Sequence, residues 1–291
     1  MLRDRITGTK DSYVDSYVVG QTITNYLVGT VVSSTSTGIK EGDIILHDSG
    51  KWESEFIVDA KDLNKLQLKA KVDSIDFVGV LSMASYSAYY GLIAIGKPKA
   101  GEAILVSSAS GAVGQMAVQI ERARGLKDVA VAGSDNKVEF VKSFGAAVVF
   151  NYKACGDYTE AIKKAAPEGI DIYFENVGGP FLDAVLANIN PHGRVILCGA
   201  ITQYNISSPD QVYGVKNFTA ILIQKVTVQG FIIFDYFNTQ IHNGFFNEMS
   251  QLYKKGKIQY KIDVTEGLDN APRAILDLYE GKNFGKSIIK A

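Results

Sequence analysis

From Ala103 to Cys198, short apolar runs rich in β-branched residues alternate with amphipathic stretches. This alternation restricts the fold more than any other feature, because such a chain closes as βαβ units around a parallel sheet. The spacing predicts a strand over Ala103 to Val106 and a helix from Gly111 to Arg124, stopped by Gly125 as a C-terminal cap. A second strand follows over Val129 to Ala132. Asp135 is expected to cap a helix running through Phe144, followed by a strand over Ala147 to Tyr152, a helix over Tyr158 to Ala166 and a strand over Ile170 to Val177. Pro180 to Ile189 reads as helix, Arg194 to Cys198 as the fifth strand and Val226 to Ile233 as the sixth. The polar loop between the last two is too long for a simple turn, which marks it as functional.

The flanks differ. Tyr26 to Val32, Asp43 to Leu46 and Glu53 to Val58 read as strands separated by turns, which predicts a small antiparallel β domain first. The tail offers a helix over Phe245 to Lys255, a strand over Ile258 to Val264, a helix over Asn270 to Tyr279 and a strand over Ser287 to Lys290. It is expected to return to the first domain, giving boundaries at 1–84, 85–254 and 255–291.

Lys and Arg number 30 against 31 Asp and Glu, a net charge of −1, so no global field recruits nucleic acid or an anionic membrane. The first ten residues have no apolar core for a signal peptide, and no apolar run reaches the roughly 18 residues of a membrane span. Only two cysteines occur, Cys155 and Cys198, too few for a disulfide scaffold. A reducing, cytoplasmic location is the expectation.

The strongest local signal is Ser108-Ala109-Ser110-Gly111-Ala112-Val113-Gly114, set between a predicted strand and a predicted helix. A dinucleotide turn needs a glycine where backbone approaches the pyrophosphate and a small residue where helix packs on strand. Gly111 and Gly114 fit these roles, although Ala109 replaces the usual first glycine; a plain strand-to-helix turn is the alternative. At the end of the second strand, Gly133 stands where an NAD site wants a carboxylate for the ribose hydroxyls, and Lys137 follows. That combination favours NADP(H) over NAD(H). From spacing alone, Lys137 is equally a solvated residue of the first helical turn.

These stretches, with IDIYFENVGG, CGAITQYN, QGFIIFDYF and EGLDNAPRAILDLYEGKNFGK, lie in register with one family. The chain resembles the zinc-independent medium-chain dehydrogenase/reductases, specifically the NADPH-dependent alkenal and prostaglandin double-bond reductases. The resemblance implies an α/β fold, a doubly wound parallel Rossmann sheet with a smaller GroES-like β domain. It also implies Gly111, Ala112, Val113 and Gly114 under the pyrophosphate of NADPH, with Lys137 and Tyr152 on the 2′-phosphate. Asn176 would line the same cleft. Cys198, Gly199, Ala200 and Ile201 would run beside the nicotinamide half, Phe231, Ile232 and Ile233 would flank the ring, and Asn283 would reach it from the tail.

Tyr204, the tyrosine of CGAITQYN, is the residue the resemblance places beside substrate and nicotinamide. Hydride arriving at the β-carbon of an enone leaves an enolate that needs a hydrogen-bond donor and then a proton. A phenol, whose ordinary pKa is about 10, supplies both without carrying charge into an apolar pocket. A loop tyrosine used for packing is the alternative, and Tyr236 is the next donor in line. Cys155, Cys198, His47, His192 and His242 have no metal-site spacing, and without a Lewis acid an alcohol is a poorer substrate than an activated alkene.

The chain departs from the family in two places. The family pattern extends upstream of the stretch matching Met1 to Arg5, so the β domain is expected to be truncated at its N-terminus and to lack a tyrosine of the cleft wall. Met83-Ala84-Ser85-Tyr86 replaces Met-Pro-Gly-Leu, a change expected to reshape the substrate entrance. The expected activity is NADPH-dependent reduction of the C=C bond of a small enone or enal. A quinone acceptor, or a coenzyme-binding protein made inactive by its short first domain, are the competing readings. The apolar Val226 to Ile233, last in the sheet, predicts a homodimer.

Overall fold

The computed structural model describes residues 5–6, 13–65 and 73–291. Met1 to Asp4, which carry most of the upstream departure, lie outside the described residues. Two compact units form. One comprises residues up to Val78 with Val264–Glu280 and Ile288–Ala291; the other comprises Gly79–Asp263 with Gly281–Ser287.

In the first unit, β1 (Thr24–Thr30) pairs antiparallel with β2 (Ile44–Lys51), and β2 pairs with β3 (Asn64–Lys65). The expected strand over Glu53 to Val58 is absent: the chain bends after Lys51, and Ile57 is fully in solvent. β1 lines one edge of β2, while β3 pairs with Ile45 and Leu46 alone.

The second unit begins with α1 (Met83–Tyr90), which Ser82 caps by accepting from the Ser85 N–H. Its sheet contains β4 (Ala103–Val106), β5 (Lys127–Ala132), β6 (Val148–Asn151), β7 (Ile170–Glu175), β8 (Ile189–Leu197) and β9 (Thr227–Gly230). All pairs are parallel, in the order β6-β5-β4-β7-β8-β9. All four residues of β4 are buried, as expected of a central parallel strand covered on both faces. Leu105, Val129, Ile170, Tyr173 and Val195 meet Ile162, Phe181 and Val185 in one core. Intervening helices are α2 (Gly114–Arg122), α3 (Asp135–Ser143), α4 (Tyr158–Ala165) and α5 (Gly179–Leu186).

Several boundaries correct the sequence expectations. α2 starts at Gly114 rather than Gly111, because 111–113 are spent on the turn. Ser134, not Asp135, caps α3, accepting from the Lys137 N–H, while Asp135 accepts from Asn151 Nδ2 at 2.8 Å. The sixth strand is only Thr227–Gly230, since β8 offers partners from Arg194 to Leu197 alone; Phe231 onward leaves the sheet. The loop before it contains α6 (Phe218–Ile223), whose Phe218, Leu222 and Ile223 are exposed.

Beyond α7 (Gln240–Lys254), residues 258–261 are not strand as expected; β10 spans Ile262–Glu266. Side chains bond most of this backbone, beside the Lys286 N–H, which donates to the Lys261 carbonyl at 2.9 Å. Gln119 accepts from the Gln259 N–H at 2.9 Å and donates to its carbonyl at 2.8 Å, and Gln115 accepts from the Lys261 N–H at 2.8 Å. α8 (Ala271–Tyr279) and β11 (Lys286–Lys290), paired with β10, complete the chain.

Near the end of α2, Glu121 is fully buried and neither carboxylate oxygen has a protein hydrogen-bond partner. Burial first, then the nearby Asp128 carboxylate, push its pKa well above the ordinary carboxylate value. A raised pKa favours the folded state fully below the ordinary value, and that contribution is lost as pH rises through the folded one. Glu121→Met is therefore expected to stabilise the protein by about 1–3 kcal/mol, with a larger gain near pH 8 than near pH 5. Denaturant unfolding at both pH values measures this; an equal or smaller gain at the higher pH refutes it.

Candidate active site

The strand order reverses between β4 and β7, and open α/β sheets bind ligands at the carboxyl ends of the strands at such a switch point. On β4, the turn after Val106 is held by the Ala109 N–H donating to the Val131 carbonyl at 2.9 Å. Ser108, with φ of 52°, takes the left-handed position, so Ala109 can replace a glycine and be completely buried. Gly114 has no such freedom. A Cβ there would lie 2.2 Å from the Ser108 carbonyl oxygen and 2.7 Å from Ala109 Cα. The helix thus seats directly on the turn, and no side chain caps its start at Val113, which leaves N-terminal N–H groups for an anion. Gly111 forms an isolated parallel bridge with Gly285.

At the end of β5, a Cβ on Gly133 would lie 2.9 Å from the Tyr152 ring, so no acid can occupy this place while Tyr152 holds its position. Lys137 faces the same corner, its Nζ donating to the Gly281 carbonyl at 2.6 Å. Burial first and then repulsion from Lys153 depress its pKa, with Asp263 opposing. Two cations repelling one another beside a tyrosine form a site that an anion would relieve. Lys153 was missed from sequence, although it directly follows Tyr152. Asn283 bonds the Gly285 carbonyl at 2.9 Å, in the same returning segment as Gly281.

β7 ends in the completely buried Glu175, which sequence reading passed over although a carboxylate closing an apolar strand is conspicuous. Its Oε1 accepts from the Tyr173 hydroxyl at 2.8 Å and the Gly178 N–H at 2.9 Å; its carbonyl accepts from the N–H groups of Cys198 and Gly199. Burial raises the Glu175 pKa, and the N–H donors oppose the rise. Asn176 is pinned to Ser107, its N–H donating to Oγ at 3.0 Å and its Nδ2 to the carbonyl at 2.9 Å. Burial and the Glu175 charge push the Cys198 thiol up to about 12.

Ile201 donates to the Asn176 carbonyl at 3.2 Å, which folds 198–204 back over this edge. The Tyr204 phenol oxygen accepts from the Ala200 N–H at 3.1 Å, and a Cβ on Gly199 would stand 3.0 Å from it. This bond uses one acceptor position of the phenol oxygen. Phe231 packs on Tyr90 with centroids 5.4 Å apart, and Tyr90 stacks on Tyr236 at 3.9 Å. Ile233 is buried and opens the turn to Tyr236, leaving Ile232 between the two aromatic positions. Tyr86, from the altered Met83 to Tyr86 stretch, is buried and donates to the Tyr236 carbonyl at 2.7 Å, so it supports this wall from behind. Among the described residues no group of three or more His, Cys, Asp or Glu is placed to hold a metal, and no helix is long and apolar enough to cross a membrane.

The zinc-binding dehydrogenase family profile matches residues 112–255. A zinc-type alcohol dehydrogenase-like protein of Schizosaccharomyces pombe is 46% identical over 99% of this chain and 82% of its own length. The NADP(+)-dependent 2-alkenal reductase of Nicotiana tabacum is 38% identical over the same shares, 99% and 82%. The crystal structure of CurA from Vibrio vulnificus in complex with NADPH superposes with a TM-score of 0.91 at 34% identity, covering 100% of this chain and 86% of that one. The chain belongs to the zinc-independent medium-chain dehydrogenase/reductases, in the alkenal and prostaglandin double-bond reductase family.

Proposed function

We propose that the protein is an NADPH-dependent reductase of the C=C bond of α,β-unsaturated aldehydes and ketones. The observation that carries this reading is the corner where Gly133 excludes an acid while Lys137, Lys153 and Tyr152 converge, on a chain related to an NADP-dependent alkenal reductase. The residues fit the coenzyme: Gly111 to Gly114 would hold the pyrophosphate and Lys137 and Tyr152 the 2′-phosphate, Asn176 would line the cleft, and Cys198 to Ile201, Phe231 to Ile233 and Asn283 would meet the nicotinamide half. When bound, NADPH supplies the hydride that the β-carbon of the enone accepts.

The remaining work falls to the chain. Tyr204 donates a hydrogen bond to the substrate carbonyl oxygen, stabilises the developing enolate and lies at the source of the proton that completes reduction at the α-carbon. Ala200 aims the phenol through its N–H, and Asn176, pinned by Ser107, holds the turn that carries it. Phe231, Tyr90 and Tyr236 provide an apolar wall that keeps water from the charge.

The test is NADPH consumption with a short alkenal and, separately, with a quinone. Alkenal-dependent turnover exceeding quinone turnover is expected. Coenzyme fluorescence on binding without turnover of either would refute the reading. The exposed edge of β9 and the exposed apolar residues of α6 support a symmetric dimer, so the active preparation is expected to sediment at twice the mass of one chain. Its two free thiols suit a reducing, cytoplasmic compartment.

A further inference from the structure

The loop from Asn205 to Asn217 leaves the turn that carries Tyr204 and runs largely through solvent before α6 begins. Apolar burial contributes little to holding it, but one carboxylate does a great deal. Asp183, on α5 and only 7% exposed, accepts from the Tyr213 hydroxyl at 2.7 Å, the Lys216 N–H at 2.9 Å and the Asn217 N–H at 2.8 Å. Its own carbonyl accepts from Asn217 Nδ2 at 2.8 Å. Burial would raise the Asp183 pKa, but the Asn217 N–H, the Tyr213 hydroxyl and the Lys216 N–H bring it below the ordinary value. These carboxylate bonds go to the loop rather than to the sheet, so the charge serves the loop's position.

Tyr213 carries the connection onward. Its N–H donates to Gln203 Oε1 at 3.0 Å, and the Gln203 N–H donates to the Ala200 carbonyl at 2.8 Å. Gln203 Nε2 donates to Thr202 Oγ1 at 3.1 Å, whose hydroxyl donates to the Val177 carbonyl at 2.7 Å. The same turn supplies the Ala200 N–H that meets the Tyr204 phenol.

We propose that Asp183 is a positioning residue for enone reduction: by fixing Tyr213 it holds Gln203, and through Gln203 the Ala200–Tyr204 turn, in the arrangement that aims the phenol. This inference rests on the reading of Tyr204 as the donor to substrate. Asp183→Asn keeps the shape but sets an amide NH2 among N–H donors, and Tyr213→Phe removes one bond while keeping the ring.

Asp183→Asn is expected to lower kcat for a short alkenal about tenfold, as a small misplacement of a reacting group does. The Kd for NADPH, read by coenzyme fluorescence, is expected to stay within about twofold, a split that general destabilisation would not produce. In a Tyr204→Phe background the same change is expected to cost less than about twofold, because the group it aims is gone. Equal losses in both backgrounds, or undiminished kcat in Asp183→Asn, overturn the proposal. If Asp183→Asn does not fold, Tyr213→Phe is judged by the same criteria.

Hydrogen exchange read by mass spectrometry separates this inference from the one beneath it. Faster exchange at Ala200 to Asn205 in Asp183→Asn is expected whatever the phenol does, and unchanged exchange there overturns the positioning role. Full activity of Tyr204→Phe instead overturns the chemistry assigned to the phenol.

Discussion

Tyr204→Phe is expected to lower kcat for enone reduction about 100-fold while leaving the NADPH Kd within about twofold. The phenol oxygen accepts from the Ala200 N–H at 3.1 Å, and the turn beneath it is tied to Asn176 and Val177 through the N–H groups of Ile201 and Thr202. Phenylalanine keeps the ring and removes the hydroxyl together with its bond to the Ala200 N–H, so an unchanged NADPH Kd is what separates lost chemistry from a disturbed turn. The deficit should sit in kcat and kcat/KM together, the signature of an interaction made chiefly in the transition state. A loss confined to KM, or no loss, removes Tyr204 from the chemistry.

Lys137→Ala is expected to raise the Kd for NADPH about 10- to 100-fold and to change the Kd for NADH less than about twofold. A hydrogen bond to a charged group contributes roughly 1.5–3 kcal/mol, and each 1.4 kcal/mol is tenfold in affinity. The difference between coenzymes carries the argument, because loss of the Lys137 contact with the Gly281 carbonyl would affect both equally. Titrating both coenzymes against wild type and variant by fluorescence decides it. Equal weakening assigns Lys137 to holding the returning segment instead of reading the 2′-phosphate.

The parts of the proposed site that the sequence announces are local ones. The turn after β4 is announced by small residues between an apolar run and a helical period, and the missing acid at Gly133 is visible as a single letter. What escaped were polar residues whose partners lie far along the chain. Besides its near neighbours Tyr173 and Gly178, Glu175 gathers Ser107, 68 positions away, and Cys198 from the next strand, and Asp183 gathers residues 30 and more positions away. Nothing in the composition of either neighbourhood says which backbone donors the fold will leave unpaired.

The same division explains the misplaced elements. Glu53 to Val58 carries a strand's residues, but a strand exists only where a neighbour pairs with it, and the chain bends over 52–55 and forms no ladder there. Residues 258–261 have a strand's composition but form none, and two glutamine side chains on α2 bond their backbone, with the Lys286 N–H also meeting the Lys261 carbonyl. Apolar period and turn chemistry act over a few residues, so the chain encodes directly the order of the Rossmann strands and the glycine turn between β4 and α2. Hydrogen-bond pairing is settled between segments brought together by folding, and it alone places Lys137 against Gly281, Tyr204 against Ala200 and Asp183 beneath the loop.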